Sequence, residues 1–427
     1  MLAGRWIVFS VVGVASPVAG AVDGSEAPRS PRIEALRAAA PESRAAMEDA
    51  LWADLRRSGT PLVEPIAGDL GHSRVTFLWR GEPVLRNVSV ITAMSLSDLP
   101  GSALEQVPGT RTWARTYVLP NDARLGYRFA PDDSGVSFER ERDLMKRMQG
   151  WQPDPLNARR APVAPGIEVS VLELPAAPPT RWSRPDPATP RGTLREVQVP
   201  LGEGRGSRKG WLYLPAAGAV PGGLVVFLDG QSYTTLIPGP TILDNLIAAR
   251  AIRPVAAVFL TAGDDRESEY ACNGVFAERL ANEVLGYARK EARIQAAATR
   301  TVLVGESLAG LQAACTALMH PKQFGAVLTQ SGSFFRAPAG EEPESVARRL
   351  AAGSAVPAAW YLEVGLLETG PIPSRDPSML TANRHLRDVL SARGARHRFR
   401  EYFGGHEHLA WRESLAIGLQ FLLPPAR

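Results

Sequence analysis

Cysteine is nearly absent from this chain: its 427 residues hold two, Cys272 and Cys315. Two thiols make at most one bond, so a disulfide framework is excluded. Neither falls in a CxxC or Cys/His spacing of the kind zinc sites use. Charge of one sign is also missing. The 48 Lys and Arg against 44 Asp and Glu leave a net charge of +4, spread along the chain and not gathered in blocks. That slight excess suits small anionic molecules and is a poor argument for nucleic acid. There is no G-X-Y period, which sets aside collagen, and no internal repeat. Beyond the N-terminus no apolar run is long enough to span a bilayer.

What remains is ordinary globular material, 45% hydrophobic and 22% charged. At ~150 residues per domain the length predicts two or three domains. Gly (39) and Pro (36) are enriched, so many turns and an extended linker are expected.

The first 21 residues, MLAGRWIVFSVVGVASPVAGA, carry a single charge at Arg5. A short apolar run follows over 6–15, then Ala19-Gly20-Ala21 with small residues at the −3 and −1 positions of a cleavage site. That is the layout of a secretory signal, too short for a membrane span. The expected mature chain begins near Val22 and works in the periplasm or outside the cell.

Residues 29–58 are rich in Ala, Arg and Glu with helical spacing, which predicts one or two amphipathic helices broken at Pro41. RVTFLWRG, RNVSVITAM, TWARTYVLP and LGYRFAP, within 74–131, are short β-branched and aromatic runs separated by turn residues. They predict an antiparallel sandwich. Residues 151–192 hold many prolines and little periodicity, and read as an inter-domain linker. From 193 onward the pattern changes again. REVQVPLG and RKGWLYLP predict an antiparallel pair. Apolar strands then alternate with helices near 241–251, 275–292, 308–319 and 379–393. Such alternation predicts a mainly parallel sheet covered by helices on both faces, in the order of an α/β hydrolase.

The chemistry is concentrated in VLVGESLAG, 302–310. A buried strand runs into Gly305-Glu306-Ser307-Leu308-Ala309 and then a helix. Small residues two before and two after Ser307 permit the sharp turn that presents a nucleophilic hydroxyl. Ala309 stands where the usual pattern has glycine.

The acid and the base should follow the serine in that order. His320, His385 and His397 fall in helices or at a strand start. His406, in Phe403-Gly404-Gly405-His406-Glu407-His408, lies just after the last predicted strand and is the expected base, with His408 its rival. Glu363, Glu368 and Asp376 are acid candidates after or within AAWYLEVG, and Glu368 is favoured because it sits in the loop beyond the strand. The expected oxyanion donors are the backbone N–H groups of Leu308 and of Gln231, the latter in FLDGQS after an earlier strand. The chemistry calls for no metal or cofactor.

Several stretches together resemble the enterochelin (enterobactin) esterase family. They are RVTFLWRG, ALEQVPGTRTWARTYVLP and GYRFAP, then Asp154-Pro155-Leu156-Asn157 with VSVLELPAAP, then FLDGQSY, TAGDDRESEYACNGVF, VGESLAGLQAACTALMHPKQFGAVLTQSGSFF and FGGHEHLAWRESLAIGL. Their order is kept over roughly 74–420. The resemblance implies an all-β Ig-like sandwich domain, placed at 61–150 after the signal at 1–21 and the helical segment at 22–60 that the residues themselves predict. The linker at 151–192 and an α/β-hydrolase esterase domain at 193–427 complete the layout.

It further implies a serine esterase that opens the trilactone of ferric catecholate siderophores through Ser307, His406 and Glu368. Arg266 and Arg412 are the implied substrate contacts, suited to a negatively charged aromatic ligand. Iron would arrive only as part of that small-molecule substrate. Two features depart from the family: the expected signal, where two-domain relatives are mostly cytoplasmic, and SLAG in place of SFGG at the catalytic turn. An exported carboxylesterase of feruloyl type, and a non-catalytic siderophore-binding protein on a hydrolase scaffold, are the competing expectations.

Overall fold

A computed structural model describes residues 29–425 apart from 165, 205 and 371–376, so the expected signal at 1–21 lies outside the described residues. The chain divides into two units; the first holds the chain up to Pro178 with the short segments 369–375 and 403–405, and the second holds the rest from Pro179 onward.

The first unit opens with two helices, α1 (Pro31–Ala38) and α2 (Pro41–Ser58). The Ser30 side chain caps α1 by accepting from the Ile33 N–H at 3.3 Å. Eight strands follow: β1 (Leu62–Ile66), β2 (Asp69–Arg80), β3 (Val88–Ile91), β4 (Glu105–Gln106), β5 (Thr112–Pro120), β6 (Arg124–Pro131), β7 (Arg160–Ala164) and β8 (Ile167–Glu173), with the short helix α3 (Leu144–Gln149) between β6 and β7. They form two antiparallel four-stranded sheets, ordered β1-β2-β5-β4 and β3-β6-β8-β7. The sheets face each other. Phe77 on β2 meets Tyr127 on β6 with ring centroids 4.8 Å apart, and Trp79 meets Phe129 at 5.1 Å. Ile33, Leu36, Leu51, Trp52 and Leu55 of the two helices pack with Leu62, Leu78 and Ala114 of the first sheet and with Val107 just past β4.

One expectation needs correction. The segment 151–192 is not all linker, because β7 and β8 lie within it and complete the second sheet. Its prolines misled for a physical reason. Pro162 stands on β7, the edge strand, beside a register shift between Pro162 and Ala164, and an edge or a bulge tolerates a missing N–H. The sandwich therefore extends beyond 150, and the stretch without regular structure runs only from 174 to 192.

The second unit contains one eight-stranded sheet. Its strands are β9 (Thr193–Pro200), β10 (Ser207–Leu214), β11 (Gly223–Leu228), β12 (Val255–Leu260), β13 (Thr301–Glu306), β14 (Ala326–Gln330), β15 (Ala359–Gly365) and β16 (His397–Tyr402). The order is β16-β15-β14-β13-β11-β12-β10-β9. β9 and β10 pair antiparallel, and so do β10 and β12; every other pairing is parallel. β11 to β15 are buried throughout, as parallel strands covered on both faces must be.

The helices are α4 (Gly230–Thr235), α5 (Gly239–Ala248), α6 (Arg266–Glu269), α7 (Gly274–Arg279), α8 (Leu285–Ala292), α9 (Ser307–Met319), α10 (Ser345–Ala351), α11 (Met379–Ala392) and α12 (His408–Leu422). Alternate residues of β11 divide the two faces. Leu224, Val226 and Leu228 join a core with α7 to α11, whereas Val225 and Phe227 join another with α4, α5 and α12. The 275–292 helix is in fact α7 and α8 joined by a π-helical turn at Leu280–Val284. This is the sheet and helix arrangement of an α/β hydrolase.

Candidate active site

The sharpest local feature is at the end of β13. Ser307 takes φ +53°, a left-handed conformation that costs a serine about 1–3 kcal/mol. Close packing around it requires small neighbours. A Cβ on Gly305 would stand 2.4 Å from the Ala309 carbonyl, and one on Gly310 would stand 3.1 Å from the Gly305 carbonyl oxygen and from Gly332 Cα. The turn delivers Ser307 as the first residue of α9, with Leu308 second. An N–H at that helical position has no intrahelical acceptor, so it is available to an oxyanion.

The strand end after β11 repeats the device. Asp229 sits at φ +53°, and at Gly230 a Cβ would fall 2.3 Å from the Phe259 carbonyl carbon. Gln231 is then the second residue of α4, with the same helical reason for an available N–H.

The candidate acid and base come from the next strand ends. Glu368 lies three residues beyond β15 and His406 four beyond β16. Glu368 Oε2 and His406 Nδ1 are 2.7 Å apart. Glu368 Oε1 accepts from Ser331 Oγ at 2.6 Å and from the Gly365 N–H at 2.8 Å. With both oxygens held, the carboxylate has one orientation toward the imidazole. The corner after β14 links this pair to Ser307. Ser331 bonds Glu368, and two residues on, the Ser333 N–H donates to the Ser307 carbonyl at 2.9 Å. The hydroxyls of Ser307 and Ser333 are 3.4 Å apart.

The rival candidates have other duties. Glu363 is fully buried within β15. It accepts from Gln330 Nε2 at 2.9 Å and from Tyr361 OH at 2.9 Å, also receives the Ser414 hydroxyl, and faces Arg400 at 3.5 Å. Burial raises its pKa against the pull of Arg400 and its donors. It is an internal brace between β14, β15 and α12. Asp376 lies outside the described residues. His385 on α11 pairs with Glu344 at 2.7 Å, and His320 sits just past the end of α9 and not within it.

His408 opens α12, with its Nε2 3.4 Å from Glu306 Oε1. Glu306 is the residue before Ser307 and is buried. Burial opposes its charge, but His408, Ser232 and Arg266 together outweigh that and hold its pKa below the usual carboxylate range. His406 and His408 both present their rings edge-on to Trp411, at 4.9 and 5.2 Å.

Of the two arginines, Arg266 pairs with Asp229 and with no acid of its own segment. Its Nε is 3.0 Å from each Asp229 carboxylate oxygen. Glu269 is taken instead by Arg208, with two contacts of 2.9 Å. Burial pushes the Asp229 carboxyl up while Arg266 draws it down. Arg412, on α12, donates from Nε to the Leu236 carbonyl at 2.6 Å, and burial lowers its pKa.

Sequence reasoning passed over Ser331, Asp229 and Glu306. The sequence does carry a signal for the first. Gln330-Ser331-Gly332-Ser333 sets small polar residues at the end of a buried strand, where a solvated loop would be expected to vary more freely in size. Asp229 and Glu306 show no such sign, because both look like ordinary strand-end acids. Among the described residues no group of three or more His, Cys, Asp or Glu side chains is placed to hold a metal ion.

The chain carries two family signatures. Residues 205–422 match the putative esterase family, and residues 74–183 match the N-terminal domain of enterochelin esterase. The iron(III) enterobactin esterase of Dickeya dadantii is 30% identical over 88% of this chain and 93% of its own length. The chain belongs to the enterochelin esterase family. It is an esterase. Two crystal structures extend the likeness to the backbone of this esterase. The ferric enterobactin esterase of Salmonella typhimurium superposes with a TM-score of 0.72 at 28% identity, covering 88% of this chain and 98% of that one. The enterobactin esterase of Shigella flexneri, solved in the presence of enterobactin, gives 0.67 at 27% identity, over 86% and 96%.

Proposed function

We propose that this esterase hydrolyses the ester bonds of a ferric catecholate siderophore such as enterobactin, through Ser307, His406 and Glu368. The observation that carries the chemistry is the 2.7 Å contact between Glu368 and His406. That contact fixes the tautomer with the proton on Nδ1 and leaves Nε2 as the base. The substrate class rests on the named relatives.

In the proposed cycle, Ser307 Oγ attacks the ester carbonyl carbon and His406 Nε2 takes its proton. The tetrahedral oxyanion is met by the N–H groups of Leu308 and Gln231. Collapse breaks the C–O bond, and the imidazolium returns the proton to the departing alkoxide. Water then attacks the acyl-enzyme with His406 again as base, freeing the carboxylic acid and Ser307. No cofactor takes part, and iron is substrate only.

Arg412 and Arg266 are the proposed substrate contacts. Arg266 enters any such contact already paired with Asp229. The first unit is proposed to be Ig-like, which its two facing antiparallel sheets support. Export is proposed from residues 1–21, and a Cys272–Cys315 disulfide suits an oxidising compartment.

The test is hydrolysis of ferric and iron-free enterobactin by residues 22–427, followed by chromatography, beside Ser307→Ala. Dihydroxybenzoyl-serine oligomers should form and vanish in the variant. Arg412→Ala and Arg266→Ala should each raise KM for the ferric siderophore, and neither should alter KM for a neutral aryl ester. Ser307-dependent cleavage of the aryl ester with no turnover of enterobactin would leave an esterase of other substrates. Silence on both would favour a binding protein.

A further inference from the structure

The proposed cycle uses one oxygen of Glu368 and says nothing of the other. Oε1 is occupied by two donors, the Gly365 N–H from the residue that ends β15 and the Ser331 hydroxyl from the corner after β14. The second of these comes from an unusual residue. Ser331 is fully buried and takes φ +49°, in the left-handed region that glycine adopts freely and serine does not. Its N–H is bound to the Glu363 carbonyl at 2.8 Å, so the backbone is anchored on β15 while the hydroxyl points to the carboxylate. Behind it, Tyr402 OH lies 3.4 Å from Ser331 Oγ and accepts from Trp411 Nε1 at 3.1 Å. Glycine would relieve the backbone, yet a hydroxyl is present. A buried side chain kept at a strained position is a sign of a constraint other than packing.

We propose that Ser331 is a positioning residue for this esterase, acting through Glu368 on His406. A carboxylate held only by Gly365 can pivot about that bond, and the imidazole pivots with it. A second donor from a different strand removes the rotation. The Nε2 lone pair then stays aimed along one line, and a misplacement of about 1 Å at a reacting atom can cost a hundredfold in rate. Charge-assisted hydrogen bonds from hydroxyl to carboxylate are strong enough to hold such an orientation. The inference rests on the proposed Ser–His–Glu reading and adds a fourth residue to it.

The test uses the full-length chain with p-nitrophenyl acetate, which any ester hydrolase of this kind should accept. Ser331→Gly removes the hydroxyl and relaxes the backbone, so it should fold. Ser331→Cys keeps the size with a weaker donor and guards against misfolding of the glycine variant. Ser331→Gly should lower kcat by roughly tenfold to a hundredfold with KM little changed, and Ser331→Cys should fall between it and wild type. The downfield proton resonance of the His406–Glu368 hydrogen bond should move or exchange away in Ser331→Gly while the unfolding transition stays cooperative. In a Glu368→Gln background the same substitution should add no further loss. An unchanged kcat overturns the inference. So does a loss that persists undiminished in Glu368→Gln, or one that leaves the downfield proton in place. If Ser307→Ala still hydrolyses the ester at the wild-type rate, the underlying reading fails first and the two failures are told apart.

Discussion

Two glutamates five residues apart on the same strand and loop have opposite fates, and the reason is what surrounds each carboxylate. Glu363 is enclosed by Gln330, Tyr361, Ser414 and Arg400 inside the sheet. Glu368 lies beyond the strand, where His406 can reach it. The two substitutions should therefore separate activity from stability. Glu368→Gln should cut kcat by at least about a hundredfold, because the amide can stabilise the wrong tautomer and no longer balances the imidazolium. Glu363→Gln should cost about 1–3 kcal/mol of stability, by leaving donors of a buried network poorly matched, with kcat of the folded protein close to wild type. Steady-state kinetics on an aryl ester and urea unfolding of both variants check this. A reversed pattern would make Glu363 the acid.

The elements that carry the site are braced from behind. Cys272, in the left-handed conformation at φ +59° after α6, is bonded to Cys315, two helical turns beyond Ser307 on α9, with a Cα–Cα distance of 5.4 Å. The bond closes a chain separation of 43 residues. It fastens the segment bearing Arg266, and so the clamp on Asp229, to α9, the helix that Ser307 begins. Gln312 on the same helix adds bonds to Asn273, accepting from its N–H at 2.7 Å and donating to its carbonyl at 3.0 Å. Replacing both cysteines by serine should lower unfolding free energy by about 2–4 kcal/mol. The measurement is denaturant unfolding of wild type with and without reductant against the double variant. If wild type under oxidising conditions is no more stable than the double variant, the bond contributes nothing.

For the whole molecule, the sandwich and the hydrolase unit are joined by 174–192, a shorter connection than the proline content predicted. Pro162 belongs to a strand edge, whereas the prolines from 178 to 190 belong to the connection. Composition alone does not separate the two cases, since a proline on an edge strand and a proline in a linker look the same without a partner strand. The proposed export is likewise tested on the whole chain. Expressed with its first 21 residues in a Gram-negative host, the protein should be recovered from the periplasm with an N-terminus near Val22, as read by Edman or mass-spectrometric sequencing. Recovery in the cytoplasm beginning at Met1 would refute it. Among the described residues no helix is long and apolar enough to cross a membrane.

Much of this protein was legible in the order of its residues. Strand–helix alternation after 193, the paired helices broken at Pro41, and the Gly305-Glu306-Ser307 turn depend on periodicity and local sterics, which short windows of sequence contain. α12 stands outside the strand–helix alternation because no strand follows it, although its apolar spacing is helical. The candidate site was half legible. Ser307 and His406 are marked by their own neighbours, a small-residue turn and a pair of glycines. Which glutamate meets His406, that Ser331 holds that glutamate, that Arg266 answers to Asp229 and that two cysteines meet were decided only in three dimensions. Each depends on which strands lie side by side. Parallel strands place residues some 35 to 100 positions apart at one sheet edge, and neither charge nor spacing along the chain records which strand ends become neighbours.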